Sequence, residues 1–93
     1  MAIPEEKIRK TMDLLTTWNP LGDKAKTIRD LSDYRTEAID ILSNLQLADP
    51  SANPARIVQK VLNQAFDLSL SLEECAEVGR QIEGLVRQAK KHL

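Results

Sequence analysis

Aromatic side chains are scarce in this chain: Trp18, Tyr34 and Phe66 are the only three. The core must therefore be built from Leu, Ile, Val and Ala, which suits helices better than sheets, because strands favour aromatic and β-branched residues. The single cysteine, Cys75, excludes an internal disulfide. With one histidine, His92, seventeen residues further on, there is no His/Cys cluster of the kind that zinc sites use. No Gly-rich loop leads into Lys-Ser or Lys-Thr, so a phosphate cradle has no motif. No apolar run approaches the ~20 residues of a membrane-spanning helix, and the start, Met1 to Glu6, lacks a basic stretch followed by an apolar secretion core. A cytoplasmic chain in a reduced setting, with no membrane contact, no metal and no cofactor, is the expectation.

Charge, by contrast, is plentiful and nearly balanced. Thirteen Lys and Arg face fourteen Asp and Glu, a net charge of −1. No strong field of one sign exists to draw nucleic acid or an anionic membrane. The 42% hydrophobic content is too high for a disordered chain, and 93 residues allow one small domain.

The periodicity is helical. Pro4 with Glu5 and Glu6 fits a first turn, and Ile8, Met12, Leu15 and Trp18 continue one stripe, predicting a helix from about Pro4 to Trp18. Asn19-Pro20-Leu21-Gly22-Asp23 ends it, and Lys24 to Leu31 carries little signal. A second helix is expected from an N-cap near Asp33, with Tyr34, Ala38, Ile41, Leu42 and Leu45 on one side. Asn53-Pro54 restarts the chain, and Ile57, Val58, Val61, Leu62, Ala65 and Phe66 predict a third helix ending near Asp67. Leu68 to Leu72 alternates like a strand but has nothing to pair with. Ser71 and Glu74 fit a capping box, opening the strongest period in the chain, Leu72 to about Lys91. The fold class expected over residues 1–93 is all-α: a compact bundle of about four helices with short loops.

Candidate sites follow from the polar residues. Asp30, Asp33, Glu37 and Asp40 share one face if the second helix reaches back to Asp30. The plainer account is a solvated face; the functional one is an acidic strip that steers a basic partner. Trp18 before a rigid turn either closes the core or, with Leu21, projects as an anchor. Cys75 near a helix start is either a nucleophile or, on a stripe with Val78, Gly79 and Ile82, a small buried hydrophobe. A helix-turn-helix reading of the last two helices places Glu73, Glu74 and Glu77 against phosphates, so nucleic acid is not the expected partner.

Taken together, Trp18-Asn19-Pro20-Leu21-Gly22, Tyr34 with Thr36-Glu37, and Ala65-Phe66-Asp67 leading to Leu72-Glu73-Glu74-Cys75 resemble a family of small bacterial helical proteins typified by the YugE-like group. The likeness runs over about residues 8 to 86. It implies a compact all-α fold with no established activity, and marks Trp18, Pro20, Gly22, Tyr34 and Glu37 as positions of interest. The chain departs from that pattern in a longer Asp23–Asp33 stretch and in the Arg87–Leu93 end.

The function expected first is a non-catalytic interaction protein, a small regulator or an immunity-type inhibitor of a basic protein partner. Its docking residues would be Trp18, Leu21, Asp30, Asp33, Tyr34, Glu37 and Asp40. The alternatives are a nucleic-acid-binding helical domain, and a small enzyme or ligand carrier with Tyr34, Arg35 and Glu37 in a pocket. Ile39, Leu42, Leu47 and Leu70, off the main stripes, leave a homodimer as open as a monomer.

Overall fold

The computed structural model describes residues 3–22, 34–49 and 51–87. They form four helices: α1 (Glu5–Trp18), α2 (Arg35–Leu47), α3 (Pro54–Phe66) and α4 (Leu72–Arg87). No strand occurs among the described residues.

Most of the helix boundaries have a local cause. Pro4 caps α1 rather than opening it, its carbonyl accepting from the Lys7 and Ile8 amides at 3.1 and 3.2 Å. Asn19 ends that helix in the left-handed region at φ 51°, with its amide on the Leu15 carbonyl. Asn53 Oδ1 accepts from the Ala55 amide at 3.0 Å, and Pro54 opens α3. The capping box forms: Ser71 Oγ accepts from the Glu74 amide, and Glu74 Oε1 accepts from the Ser71 amide. The alternating Leu68–Leu72 run needs no strand partner, because side chains from α3 take its place. Asn63 and Gln59 donate to the Leu70 carbonyl at 3.2 and 3.0 Å, and Asn63 Oδ1 accepts from the Leu70 amide at 2.9 Å.

The expected start of α2 at Asp33 is displaced. Asp33 lies outside the described residues, and the helix begins at Arg35, one residue after a left-handed Tyr34 at φ 67°. A bulky residue there is strained. Burial of the tyrosine ring, 2% exposed, offsets that strain.

All four helices share one core centred on Leu15, Ile41, Leu42, Val58, Leu62 and Ile82. Leu42 is therefore interior and not part of an association surface. On α1 the buried position falls on Thr11, while Met12 is only half-buried. The Thr11 hydroxyl has no hydrogen-bond partner among the described residues. Cys75 is fully buried and its thiol is pushed up to about 11, first by desolvation and then by Glu74. An unionised, enclosed thiol is no nucleophile. The most extensive helix pairing joins α3 to α4. It is made close by Gly79, where an added Cβ would lie 2.9 Å from the Ala55 nitrogen and 3.0 Å from its Cα.

Candidate protein-docking groove

The turn after α1 and the start of α2 form one latch. The Tyr34 hydroxyl donates to Asn19 Oδ1 at 2.9 Å and accepts a long 3.4 Å bond from the Leu21 amide. Its ring meets Phe66 edge-on, with centroids 6.1 Å apart and planes at 88°. Leu21 is buried beside it, and Gly22 supplies the positive φ of 58° that completes the turn. The next residue, Arg35, points the other way and makes a bidentate pair with Glu5 at 2.7 and 2.9 Å. Tyr34 and Arg35 thus grip opposite ends of α1. Leu21 and Tyr34 are interior residues, so neither projects as an anchor. Tyr34 and Arg35 diverge, so they do not converge with Glu37 on one pocket.

Of the acidic row, Asp30 and Asp33 lie outside the described residues, and α2 begins only at Arg35, after the left-handed Tyr34. Asp40 is exposed, whereas Glu37 is only 9% exposed and its Oε1 has no hydrogen-bond partner among the described residues. Burial, and then the charge of Asp40, push the Glu37 carboxyl above its ordinary 4.5; its own backbone amide opposes them.

The sign of the resulting pH dependence is definite. As pH rises above 4.5, the unfolded chain releases the Glu37 proton before the folded one does, so this group subtracts stability. Glu5, Asp49 and Glu77 have lowered values and act in the opposite sense, through the Arg35 pair, the Ser51 amide and the Gln81 and Arg80 donors respectively. A difference measurement isolates Glu37. Glu37→Met is expected to stabilise the fold by about 1 kcal/mol at neutral pH, with the gain shrinking in acid; urea unfolding at several pH values checks it.

A groove of about 630 Å³ runs between α1 and α4. One wall is a single stripe of α1: Lys10, Asp13, Leu14, Thr17 and Trp18. The other is a single stripe of α4: Glu74, Glu77, Val78, Gln81 and Leu85. Leu14, Trp18, Val78 and Leu85 give an apolar floor, with the indole half-buried. The rim is acidic, with Asp13, Glu74 and Glu77 against Lys10. Lys10 leans toward Glu6 at 3.6 Å. Glu77 is held ionised by the Gln81 amide and the Arg80 guanidinium, at 2.7 and 2.6 Å. Among the described residues no group of three or more His, Cys, Asp or Glu is placed to hold a metal ion. No described helix is long and apolar enough to cross a membrane.

A family model described as a domain of unknown function, DUF1871, matches residues 10–90. The chain belongs to the DUF1871 family. None of the curated proteins and none of the solved structures compared matches it.

The DUF1871 match takes in both walls of the groove and both halves of the latch. Of the sequence candidates, Trp18 alone lines the groove; Leu21, Tyr34 and Glu37 support the fold from inside, and Asp40 lies on α2. Sequence reading missed Leu14, Asp13, Glu74, Val78 and Leu85 as a set. The available signal was a second helical stripe, offset by one residue from the core stripe of each helix.

Proposed function

We propose that this DUF1871 protein is a non-catalytic docking module whose α1–α4 groove receives a basic amphipathic helix of a partner protein. The groove carries the reading: an apolar floor between two helices, with three carboxylates on the rim against one lysine. Helix-in-groove recognition uses such a floor for apolar residues spaced three and four apart. The rim would select Lys or Arg flanking them and steer association. Trp18 is the anchor, since a half-buried indole beside Leu14 and Leu85 gains area when covered. A small cytoplasmic regulator, or an immunity-type inhibitor covering a basic segment, would act through such a site. The likeness to the YugE-like bacterial group, which implies no established activity, is compatible with it.

The test uses a synthetic amphipathic peptide, with Leu at helical spacing and Lys elsewhere, titrated against the emission of the only tryptophan. Saturable, salt-sensitive binding is expected, with little for the same peptide carrying Glu in place of Lys. The exposed reversals Asp13→Lys and Glu77→Lys together should weaken it about tenfold, or ~1.4 kcal/mol. Equal binding of both peptides, or no loss in the variant, contradicts the proposal.

A further inference from the structure

We infer that the α1–α4 groove reads the direction of the helix it receives. The partner's N-terminus lies over Trp18, Glu74 and Glu77 and its C-terminus over Lys10 and Leu85, so that it runs parallel to α4. This polarity belongs to the docking of a basic amphipathic helix proposed for the same groove, and rests on that reading.

The two walls run in opposite directions, and both ends are pinned. At one end Lys7 Nζ donates to the Val86 carbonyl at 3.4 Å, joining the start of α1 to the finish of α4. At the other, the Tyr34 hydroxyl donates to Asn19, just past α1, while its ring meets Phe66, the last residue of α3, from which a short connection leads into α4. Trp18 and Glu74 therefore share one end of the groove, and Lys10 and Leu85 the other. Lys10 and Trp18 are ~12 Å apart along α1, and Glu74 and Leu85 ~16 Å apart along α4, room for about three turns of a docked helix.

Charge is spread unevenly over that length. Glu74 and Glu77 stand at the Trp18 end and Asp13 between the ends, whereas among the described residues no carboxylate lines the groove beside Leu85. Glu74 accepts from the Ser71 amide through Oε1, and Glu77 accepts from Arg80 and Gln81 through Oε2. The other oxygen of each takes no hydrogen bond among the described residues. A helix N-terminus presents unpaired amides and partial positive charge, so these oxygens meet it as acceptors and as counter-charge. Its C-terminus presents unpaired carbonyls and partial negative charge, which suit an ammonium. Lys10 supplies one, since its exposed pair with Glu6, at 3.6 Å, holds it only weakly. A helix docked the other way would set its carbonyls against Glu74 and Glu77. The dipoles of the antiparallel α1 and α4 oppose each other, so the side chains decide.

The Leu/Lys peptide with both ends blocked tests this, because its side chains carry no direction of their own. A nitroxide label is placed at its N-terminus in one sample and at its C-terminus in another, and broadening of the protein's amide signals is read at saturating peptide. The N-terminal label is expected to broaden Trp18 and Glu74 most, and the C-terminal label Lys10 and Leu85, with this pose favoured roughly tenfold over the reverse. Glu74→Gln combined with Glu77→Gln should cut that preference to about threefold or less, since Gln keeps the Ser71 cap but carries no charge. The reverse pattern, equal broadening at both ends, or an unchanged preference in the double variant overturns the direction and leaves the docking itself standing. No binding at all overturns both.

Discussion

Tyr34→Ala is expected to lose about 3–5 kcal/mol of stability, the range for deleting a buried aromatic ring. The expected loss is large because the ring joins three parts of the chain. It fills the core, meets Phe66 of α3 edge-on, and holds the Asn19–Gly22 turn through its hydroxyl. Tyr34→Phe separates these contributions. It keeps the ring and removes only the acceptor for the Leu21 amide and the donor to Asn19, so about 1–2 kcal/mol is expected. Urea unfolding of both variants checks the ratio. Comparable losses would mean that the hydroxyl, and not the ring, secures α2 to α1. A negligible loss in Tyr34→Ala would mean that the latch does not hold the bundle together.

Gly79→Ala should destabilise by about 1–3 kcal/mol, as overfilling a packed interface does, although alanine is the better helix former by ~1 kcal/mol. The obstacle is backbone: the new methyl would meet the nitrogen and Cα of Ala55 and the carbonyl carbon of Pro54. Those atoms belong to the first turn of α3, where Asn53 caps the Ala55 amide. Relief requires sliding α3 away from α4 and disturbing that cap. Gly84 lies on the same helix with open space around its Cα, so Gly84→Ala should instead gain about 0.5–1 kcal/mol from propensity alone. Opposite signs from one substitution type on one helix are the expected result, read as melting midpoints that move apart by on the order of 10 °C. Two shifts of the same sign would remove the close α3–α4 approach.

Helix existence was legible from apolar spacing, and helix ends from cap chemistry. Asn53-Pro54 and Ser71 with Glu74 behave as their residue types dictate, because capping is a local interaction. Cys75 likewise sits where its stripe put it. Misreadings arose where a distant partner decides. Asp33 looked like a cap, but Tyr34 takes the position before α2 in a left-handed conformation that only its burial against the Asn19–Gly22 turn explains. Trp18-Asn19-Pro20-Leu21-Gly22 read as an anchor candidate, and most of it is the other half of that latch. Glu37 belonged to an apparent acidic strip, yet the fold turns it inward. The groove was hidden for a different reason. Leu14 and Leu85 look like margins of the core stripe until α1 and α4 are set side by side, and only then do Asp13, Glu74 and Glu77 become a shared rim.

The docking claim is tested most directly by mapping a basic amphipathic peptide onto the ¹⁵N-labelled protein by amide chemical shifts. Perturbations should gather on the Lys10–Trp18 and Glu74–Leu85 stripes and on the Trp18 indole, leaving Asp40, Leu47 and Arg56 unmoved. Shifts centred on the α2–α3 hairpin, or none at saturating peptide, would contradict it.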